Sequence, residues 1–189
     1  MYKYDKERTL FIRETKEKDK NEIEKIHLAA FGGEFGQNVA KLALDLLVDN
    51  TAEPILSLAA IENDQIVGHV LFTKVSISGE NVTAQMLGPL AVNPDMQKKG
   101  VGKLLVNEGL KRLKESGVDI VFVFGHPEYY PKFGFTVNAE KRGFNAPYAI
   151  PKEHADGWMV LEFKEEFTGN ITGNVICADT LNHPKHWPQ

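Results

Sequence analysis

The residues best suited to chemistry form a short run rich in glycine and lysine. The run reads Gln97-Lys98-Lys99-Gly100-Val101-Gly102-Lys103, and it stands between an apolar stretch and a series of leucines at helical spacing. The free N–H groups in the first turn of a helix bind anions, and the helix dipole adds to the attraction. Glycine lets an anion come close to the backbone because it has no Cβ atom. The run therefore predicts a phosphate-binding site at the start of a helix.

Two common nucleotide-binding motifs do not fit this run. A P-loop requires a glycine upstream of the Gly-Lys pair and a Ser or Thr after the lysine, but Gln97 and Leu104 occupy those positions. A dinucleotide fingerprint requires a third glycine, and this chain has Leu105 there. Another phosphate-binding motif must therefore account for the pattern.

The run resembles the acyl-CoA site of the GNAT superfamily of N-acetyltransferases, whose signature is Gln/Arg-x-x-Gly-x-Gly/Ala. An apolar strand precedes that site in the family, and here the apolar residues are Met86-Leu87-Gly88-Pro89-Leu90-Ala91-Val92. A second motif, Glu128-Tyr129-Tyr130-Pro131-Lys132-Phe133-Gly134-Phe135, resembles the family's short helix with a tyrosine four residues before Gly-Phe. The resemblance extends from about Leu10 to Lys164 and implies an enzyme that uses acetyl-CoA as co-substrate.

In that family two adjacent parallel strands part, and acetyl-CoA lies between them with its pantetheine arm bonded to exposed backbone. The resemblance places this pair at residues 82–92 and 118–124. Gly88-Pro89 fits a bulge in the first strand, because proline has no N–H for the ladder; an ordinary kink in an edge strand is the alternative. The resemblance implies that the co-substrate contacts Leu90, Ala91, Val92, Gln97, Lys98, Lys99, Gly100, Val101, Gly102 and Lys103.

Acetyl transfer needs a proton donor for the leaving thiolate of CoA, whose pKa is about 8.5 by analogy with cysteine. Tyr130 matches the family's tyrosine in its distance from Gly134-Phe135, so the resemblance makes it the candidate donor. Tyr129 is the neighbouring candidate. Packing of the short helix is the alternative role for its ring.

The reaction also needs a base, since a primary amine with a pKa near ~10.4 is almost wholly protonated at neutral pH. His126 follows the strand at 118–124, and the ordinary pKa of histidine suits a base; a surface histidine in a turn is the alternative. Glu34 is the second candidate, because its glycine-broken segment lines the acceptor pocket in the family. A solvated loop charge is the alternative role for Glu34.

Length and charge limit the class of protein. A chain of 189 residues with 42% hydrophobic content is long enough for one well-buried core. We therefore expect a single domain over residues 1–189, with its core at about 10–164 and a C-terminal strand and tail over 165–189. The formal net charge of −4 and the pI near 5.9 argue against nucleic acid as a partner.

The sequence also predicts a cytoplasmic protein without membrane association or bound metal. It contains no run of about eighteen apolar residues and no apolar core for a signal peptide. The single cysteine, Cys177, cannot form an intramolecular disulfide and is interpreted as a small buried residue. Asp179, His183 and His186 lack further ligands at the usual spacing. His69 lies in an apolar strand and is interpreted as a structural histidine.

Hydropathy patterns predict the elements that position these residues. The predicted strands cover residues 9–13, 55–61, 66–75, 82–92, 118–124, 158–163 and 174–178. Two helices lie between the first two strands, separated by a break at Gly32, Gly33 and Gly36, and a third covers residues 100–116. A strand, a helix and a further buried strand predict a parallel crossover.

Together with the resemblance, this order predicts a mixed α/β fold. We expect a mostly antiparallel sheet of about six to seven strands, helices on both faces and a splayed parallel pair. Residues 138–157 are expected to form a loop over the site, with Phe144, Tyr148 and Trp158 shaping the acceptor pocket. The last residues, 182–189, are expected to form an extended tail.

These observations predict an N-acetyltransferase that moves the acetyl group from acetyl-CoA to a primary amine. Direct attack in a ternary complex is expected, since no activated nucleophile is evident. The aromatic residues favour a small acceptor. Two alternatives stay open: transfer to a protein or peptide amine, and a non-catalytic acyl-CoA-binding regulatory domain. The resemblance also implies that a homodimer is possible.

Overall fold

The computed structural model of this chain describes residues 10–164 and 170–188. In this part of the chain the helices are α1 (Lys20–Phe31), α2 (Gly33–Leu46) and α3 (Val101–Glu115). The strands are β1 (Leu10–Glu14), β2 (Leu56–Glu62), β3 (Gln65–Ile77), β4 (Ala84–Val92), β5 (Ile120–Phe124), β6 (Thr136–Val137), β7 (Phe144–Asn145), β8 (Trp158–Glu162) and β9 (Gly173–Cys177). The seven longer strands match the predicted ones. The sequence does not predict β6 and β7, because a strand of two residues is too short to show an alternating hydropathy pattern.

The strands form a mixed, mostly antiparallel sheet in the order β1-β2-β3-β4-β5-β8-β6. Along this path β4 and β5 run parallel and the other neighbours run antiparallel. β9 pairs antiparallel with the end of β3, and β7 pairs parallel with β9. α3 connects the parallel strands as the crossover helix. The predicted fold class is confirmed.

The two faces of the sheet are covered by different helices. Along β2, Leu58 and Ala60 pack in the same cluster as Leu105 of α3. The alternate residue Ala59 packs in the same cluster as Ile26 of α1. Because successive side chains of a strand point to opposite faces, α1 and α3 lie on opposite sides, as predicted.

β4 carries one extra residue relative to β3. Val70 pairs with Leu90 and Phe72 pairs with Leu87, so one residue of β3 stands opposite Gly88-Pro89. On the other edge of β4, the pairing with β5 ends at Leu87. A bulge bends its strand, and proline offers no N–H to a ladder. The predicted bulge is confirmed, and the pairing between the two parallel strands ends directly before it.

The predicted break between the first two helices is wrong in extent. α2 begins at Gly33, directly after Gly32 with its φ of 65°, so Gly36 lies inside the helix rather than in a loop. An added Cβ on Gly36 would lie 3.0 Å from the carbonyl oxygen of Leu28. Glycine is accepted there because it lets α2 lie against the end of α1.

The expectation for the segment 138–157 is also corrected. Phe144 and Trp158 are 1% and 0% exposed, so they cannot line an open acceptor pocket. Trp158 stacks on Phe122 with ring centroids 5.2 Å apart, and its Nε1 donates to the carbonyl oxygen of Phe144 at 2.8 Å. These rings belong to a second cluster of buried apolar residues, which also includes residues of β5 and β9. The segment holds β7 and two 3-10 turns rather than a plain loop.

The C-terminal residues pack against this second core. Trp187 is 5% exposed, and its ring centroid lies 5.7 Å from that of Trp158. The hydroxyl of Tyr148 donates to the carbonyl oxygen of Asn182 at 3.1 Å. The expected extended tail is therefore a packed segment. Part of the predicted C-terminal region, residues 165–169, lies outside the described residues.

Candidate active site

The loop between β4 and α3 has the geometry of an anion site. Lys98 and Gly100 have positive φ angles of 60° and 88°. Such turns direct successive N–H groups toward one side of the backbone. The N–H of Leu104 donates to the carbonyl oxygen of Gly100 at 3.0 Å. The N–H groups of the three residues before Leu104 have no acceptor inside the helix.

The charges around this turn favour a polyphosphate. Lys98, Lys99 and Lys103 are exposed, and the first turn of α3 contains no acidic residue. The positive end of the helix dipole lies at the same place. The structure thus brings the loop residues of the predicted site together at one helix start.

The strand residues of the predicted site lie at the parting of the parallel strands. Leu90, Ala91 and Val92 follow the bulge of β4 and stay paired with β3. Their pairing with β5 has already ended, at Leu87. Backbone groups on that edge can bond an extended ligand in the manner of an added strand.

Gln97 connects the strand to the helix start. Its Nε2 donates to the carbonyl oxygen of Val92 at 3.2 Å. Nearby, the N–H of Asp95 donates to Oδ1 of Asn93 at 3.0 Å. These bonds set the distance between the strand edge and the anion site, so Gln97 has a supporting role in this arrangement.

The two tyrosines of the second motif have different surroundings. Tyr130 is 8% exposed, and its ring packs on Gly125 at the end of β5, where an added Cβ would lie 2.4 Å from ring carbon Cε2. Tyr129 is half-buried, and its hydroxyl lies beside Gly102 at the start of α3. Burial raises the pKa of both phenols. Both therefore hold their proton at neutral pH and can act as donors.

The motif spacing singles out Tyr130 but gives no sign that Tyr129 reaches the anion site. The difference arises from the turn before the motif. The carbonyl oxygen of His126 accepts from the N–H groups of Tyr129 at 3.0 Å and of Tyr130 at 3.4 Å. This turn sends one ring into the core and the other toward α3.

The two candidate bases lie on different elements. The side chain of His126 is exposed just after β5. Glu34 is exposed in the first turn of α2, a helix that contacts β4. Both side chains can therefore meet a ligand that comes from solvent.

Other candidate groups outside this region have structural surroundings. Burial raises the pKa of the Cys177 thiol to about 12. Nδ1 of His183 accepts from the N–H of Lys185 at 3.2 Å. Across residues 10–164 and 170–188, no group of three or more His, Cys, Asp and Glu residues could hold a metal ion. Over the same ranges, none of the helices has the length and apolar character needed to cross a membrane.

Comparison with known proteins identifies relatives over most of the chain. The family model described as "Acetyltransferase (GNAT) domain" matches residues 11–138. The uncharacterized N-acetyltransferase YjhQ of Escherichia coli K12 is 40% identical over 167 residues, which is 87% of this chain and 90% of that protein.

Two solved structures resemble the fold closely. The GNAT family N-acetyltransferase YhbS from Escherichia coli, in complex with CoA, superposes with a TM-score of 0.83 and 26% identity over 96% of this chain and 97% of that one. A GNAT family acetyltransferase from Brucella melitensis, in complex with acetyl-CoA, gives a TM-score of 0.72 and 27% identity over 92% of this chain and 99% of that one.

Proposed function

The chain belongs to the GNAT family of acetyltransferases, and on that premise we propose that it transfers the acetyl group of acetyl-CoA to a primary amine of a small molecule. One observation carries this proposal: the edge of β4 freed by the bulge leads through a short loop to the glycine-rich start of α3. The complexes of YhbS with CoA and of the Brucella melitensis protein with acetyl-CoA support the choice of co-substrate.

The proposed co-substrate lies across both parts of the site. Its pyrophosphate binds the N–H groups at the start of α3, within reach of Lys98, Lys99 and Lys103. Its pantetheine arm pairs with the β4 backbone over Leu90, Ala91 and Val92. A backbone N–H near Leu90 polarises the thioester carbonyl and stabilises the developing oxyanion.

The amine attacks the thioester carbon directly. Cys177 is unsuited to form an acyl-enzyme, because its thiol is buried and protonated. Tyr130 donates its proton to the leaving thiolate, and the packing of its ring on Gly125, directly after β5, supports this role. His126 and Glu34 are the exposed groups proposed to accept the proton of the amine.

Calorimetric titration with acetyl-CoA tests the co-substrate, with CoA and NADH as comparisons. Saturable binding of acetyl-CoA and CoA but not of NADH is expected. Release of CoA thiol is then measured with ethanolamine, 2-phenylethylamine, Nα-blocked lysine and a short peptide with a free N-terminus. Turnover with a small amine supports the proposal, whereas turnover with the peptide alone would replace it with a peptide acetyltransferase. Absence of acetyl-CoA binding would remove it.

We further propose a cytoplasmic homodimer, from the family resemblance. Sedimentation equilibrium of the purified protein tests the dimer, and a single species with the mass of one chain would contradict it.

A further inference from the structure

A line of polar side chains crosses the α1 face of the sheet. Nε2 of His27 in α1 lies 2.9 Å from Nδ1 of His69 in β3. Nε2 of His69 lies 3.0 Å from Oγ of Ser57 in β2. Thr15, just after β1, donates its hydroxyl to Oγ of Ser57 at 2.6 Å. Four side chains from separate parts of the chain thus form a continuous hydrogen-bonded line.

The two histidines in this line are neutral. Both are 0% exposed, and burial lowers the pKa of His27 to about 4. Burial and the neighbouring His27 also lower the pKa of His69, while the Asp19 carboxylate, which is paired with Arg13, acts in the opposite direction. Each neutral imidazole has one N–H and one lone pair, so each can pass a proton from one nitrogen to the other.

One end of the line opens to a cavity. Thr15 and Ser57 line a cavity of about 410 Å³, together with the side chains of Glu14 and Glu53. Water in such a space can accept a proton from Thr15. Glu14 is paired with Arg112 at 3.0 Å, so Glu53 is the acidic lining residue that favours positive charge in the cavity.

The other end of the line is His27 on α1, a helix that contacts β4. Nδ1 of His27 is buried and has no hydrogen-bond partner among the described residues. Such an atom destabilises the fold unless a ligand or a water molecule bonds to it. His69 stands opposite Ala91 in the β3–β4 ladder, and Ile26 packs in the same cluster as Ala91. The ring of Phe31 stacks on His27 and is 39% exposed, so part of the residue that covers His27 faces solvent.

We propose that this line is a proton relay that takes the proton of the acceptor amine beside β4 and releases it into the cavity. It rests on the proposed function, because it needs an amine that attacks a thioester held by β4. In this relay Nδ1 of His27 accepts the proton, directly or through one water molecule. It supplies a base inside the protein, in addition to the exposed candidates His126 and Glu34.

The proton movements balance along the relay. The N–H bond of the amine breaks and an Nδ1–H bond forms on His27, whose Nε2 proton passes to Nδ1 of His69. The Nε2 proton of His69 passes to Ser57, whose own proton passes to Thr15, and Thr15 releases its proton to water. Every group of the relay ends neutral, and Tyr130 regains from water the proton that it gives to the thiolate. Either hydroxyl can donate across the 2.6 Å between Thr15 Oγ1 and Ser57 Oγ: Ser57 donates to Thr15 before this passage, and Thr15 donates to Ser57 after it.

Two substitutions interrupt the relay without removing a histidine. Thr15→Val removes the hydroxyl at the cavity, and Ser57→Ala removes the hydroxyl next to His69. Thr73→Val is the matched control, because Thr73 lies on the same face of β3 as His69, is 0% exposed and has an Oγ1 without a partner among the described residues.

The first measurement needs no acceptor. Nuclear magnetic resonance of the histidine-labelled protein follows the exchange of imidazole N–H protons of His27 and His69 with deuterated water. Exchange in the wild type and in Thr73→Val is expected to be at least tenfold faster than in Thr15→Val and Ser57→Ala. Exchange in the wild type as slow as in Thr15→Val would overturn the relay.

The second measurement follows turnover with the primary amine of the panel that reacts fastest. We expect Thr15→Val and Ser57→Ala to lower kcat tenfold or more, within the range of about 10²–10⁴ for general-base catalysis, without changing the affinity for acetyl-CoA. Their kcat should rise with pH more steeply than that of Thr73→Val, since hydroxide must then remove the proton. Equal kcat values and pH profiles in all variants would overturn the relay and leave the line a structural feature.

If the wild type acetylates no amine of the panel, the proposed function fails. The exchange measurement then tests the proton path independently of turnover. Fast exchange in the wild type that becomes slow in Thr15→Val supports the path, and slow exchange in the wild type contradicts it.

Discussion

The hydroxyl of Tyr129 lies 2.9 Å from the point that a Cβ atom on Gly102 would occupy. A side-chain carbon of Val92, Cγ2, lies 3.6 Å from the same point. The tyrosine turn after β5, the end of β4 and the start of α3 therefore meet at Gly102. A side chain at this position would displace either Tyr129 or a ligand on the helix start.

This contact predicts separate effects for the two tyrosines. Tyr129→Phe removes a hydroxyl beside the anion site, so we expect weaker acetyl-CoA binding by about tenfold, the value of one hydrogen bond to a charged group. Tyr130→Phe removes the proposed proton donor, so kcat should fall more than the affinity for acetyl-CoA. Calorimetry and steady-state kinetics on each variant measure the two quantities. Unchanged turnover in Tyr130→Phe would remove it as the acid.

The anion site predicts that replacement of Gly100 weakens acetyl-CoA binding. Gly100 has φ of 88° with nothing near an added Cβ, and Gly117, after the other end of α3, has φ of 87° with the same open space. Gly100→Ala and Gly117→Ala should therefore lower the free energy of unfolding by similar amounts, about 1 kcal/mol. We expect acetyl-CoA affinity to fall in Gly100→Ala alone. Equal affinities in the two variants would contradict the site.

Elements with a strong local signal could be predicted from the sequence. Gly88-Pro89 marks the bulge because proline cannot serve a ladder. Gly117 marks the end of α3 because its positive φ is costly for other residues. Both signals depend on one or two residues and their own backbone, so they need no knowledge of distant contacts.

Features that depend on distant contacts could not be predicted. Thr15 and Ser57 are 42 residues apart, and so are His27 and His69. Hydropathy shows which side of a strand or helix is buried but not which side chains meet there. For the same reason, Trp158 could not be assigned to the core rather than to a pocket, and the contact of Gly36 with α1 could not be foreseen.

Asp49, in the loop after α2, is expected to stabilise the protein by an amount that depends on pH. Its Oδ1 accepts from Thr51 and its Oδ2 accepts from the N–H of Thr180 at 2.9 Å. Burial alone would raise the pKa of Asp49, but these hydrogen bonds lower it to about 2. Asp49→Asn should therefore reduce the free energy of unfolding by about 1 kcal/mol near neutral pH.

The sign of this effect sets its pH window. A carboxyl whose pKa is lower in the folded state stabilises the protein above its unfolded pKa, and the contribution disappears as pH falls toward the folded pKa. The difference in the free energy of unfolding between wild type and Asp49→Asn should therefore decrease as the pH falls from about 4 to about 2. Urea titrations measure it. Asp64→Asn, in the exposed turn between β2 and β3, is the control. If this variant showed the same pH-dependent loss of stability as Asp49→Asn, the contribution would not be specific to Asp49.

The buried histidine pair predicts a loss of stability in mild acid. The pKa of His27 is about 4 in the folded protein against 6.5 for a free histidine, because burial disfavours the charged ring. Below pH 6.5 the unfolded chain therefore binds more protons, so stability is independent of this group above pH 6.5 and falls from there toward pH 4.

The expected slope follows from the number of groups that titrate on unfolding. One such histidine lowers the free energy of unfolding by about 1.4 kcal/mol for each pH unit of acidification. His69, whose pKa is also lowered, adds a similar slope. Urea titrations at several pH values between about 7 and 5 measure the free energy of unfolding. His126→Asn should keep the slope of the wild type, because its side chain is exposed. A free energy of unfolding that stays constant over this range would mean that the pair takes up protons in the folded state, and it could not then remain neutral as a relay requires.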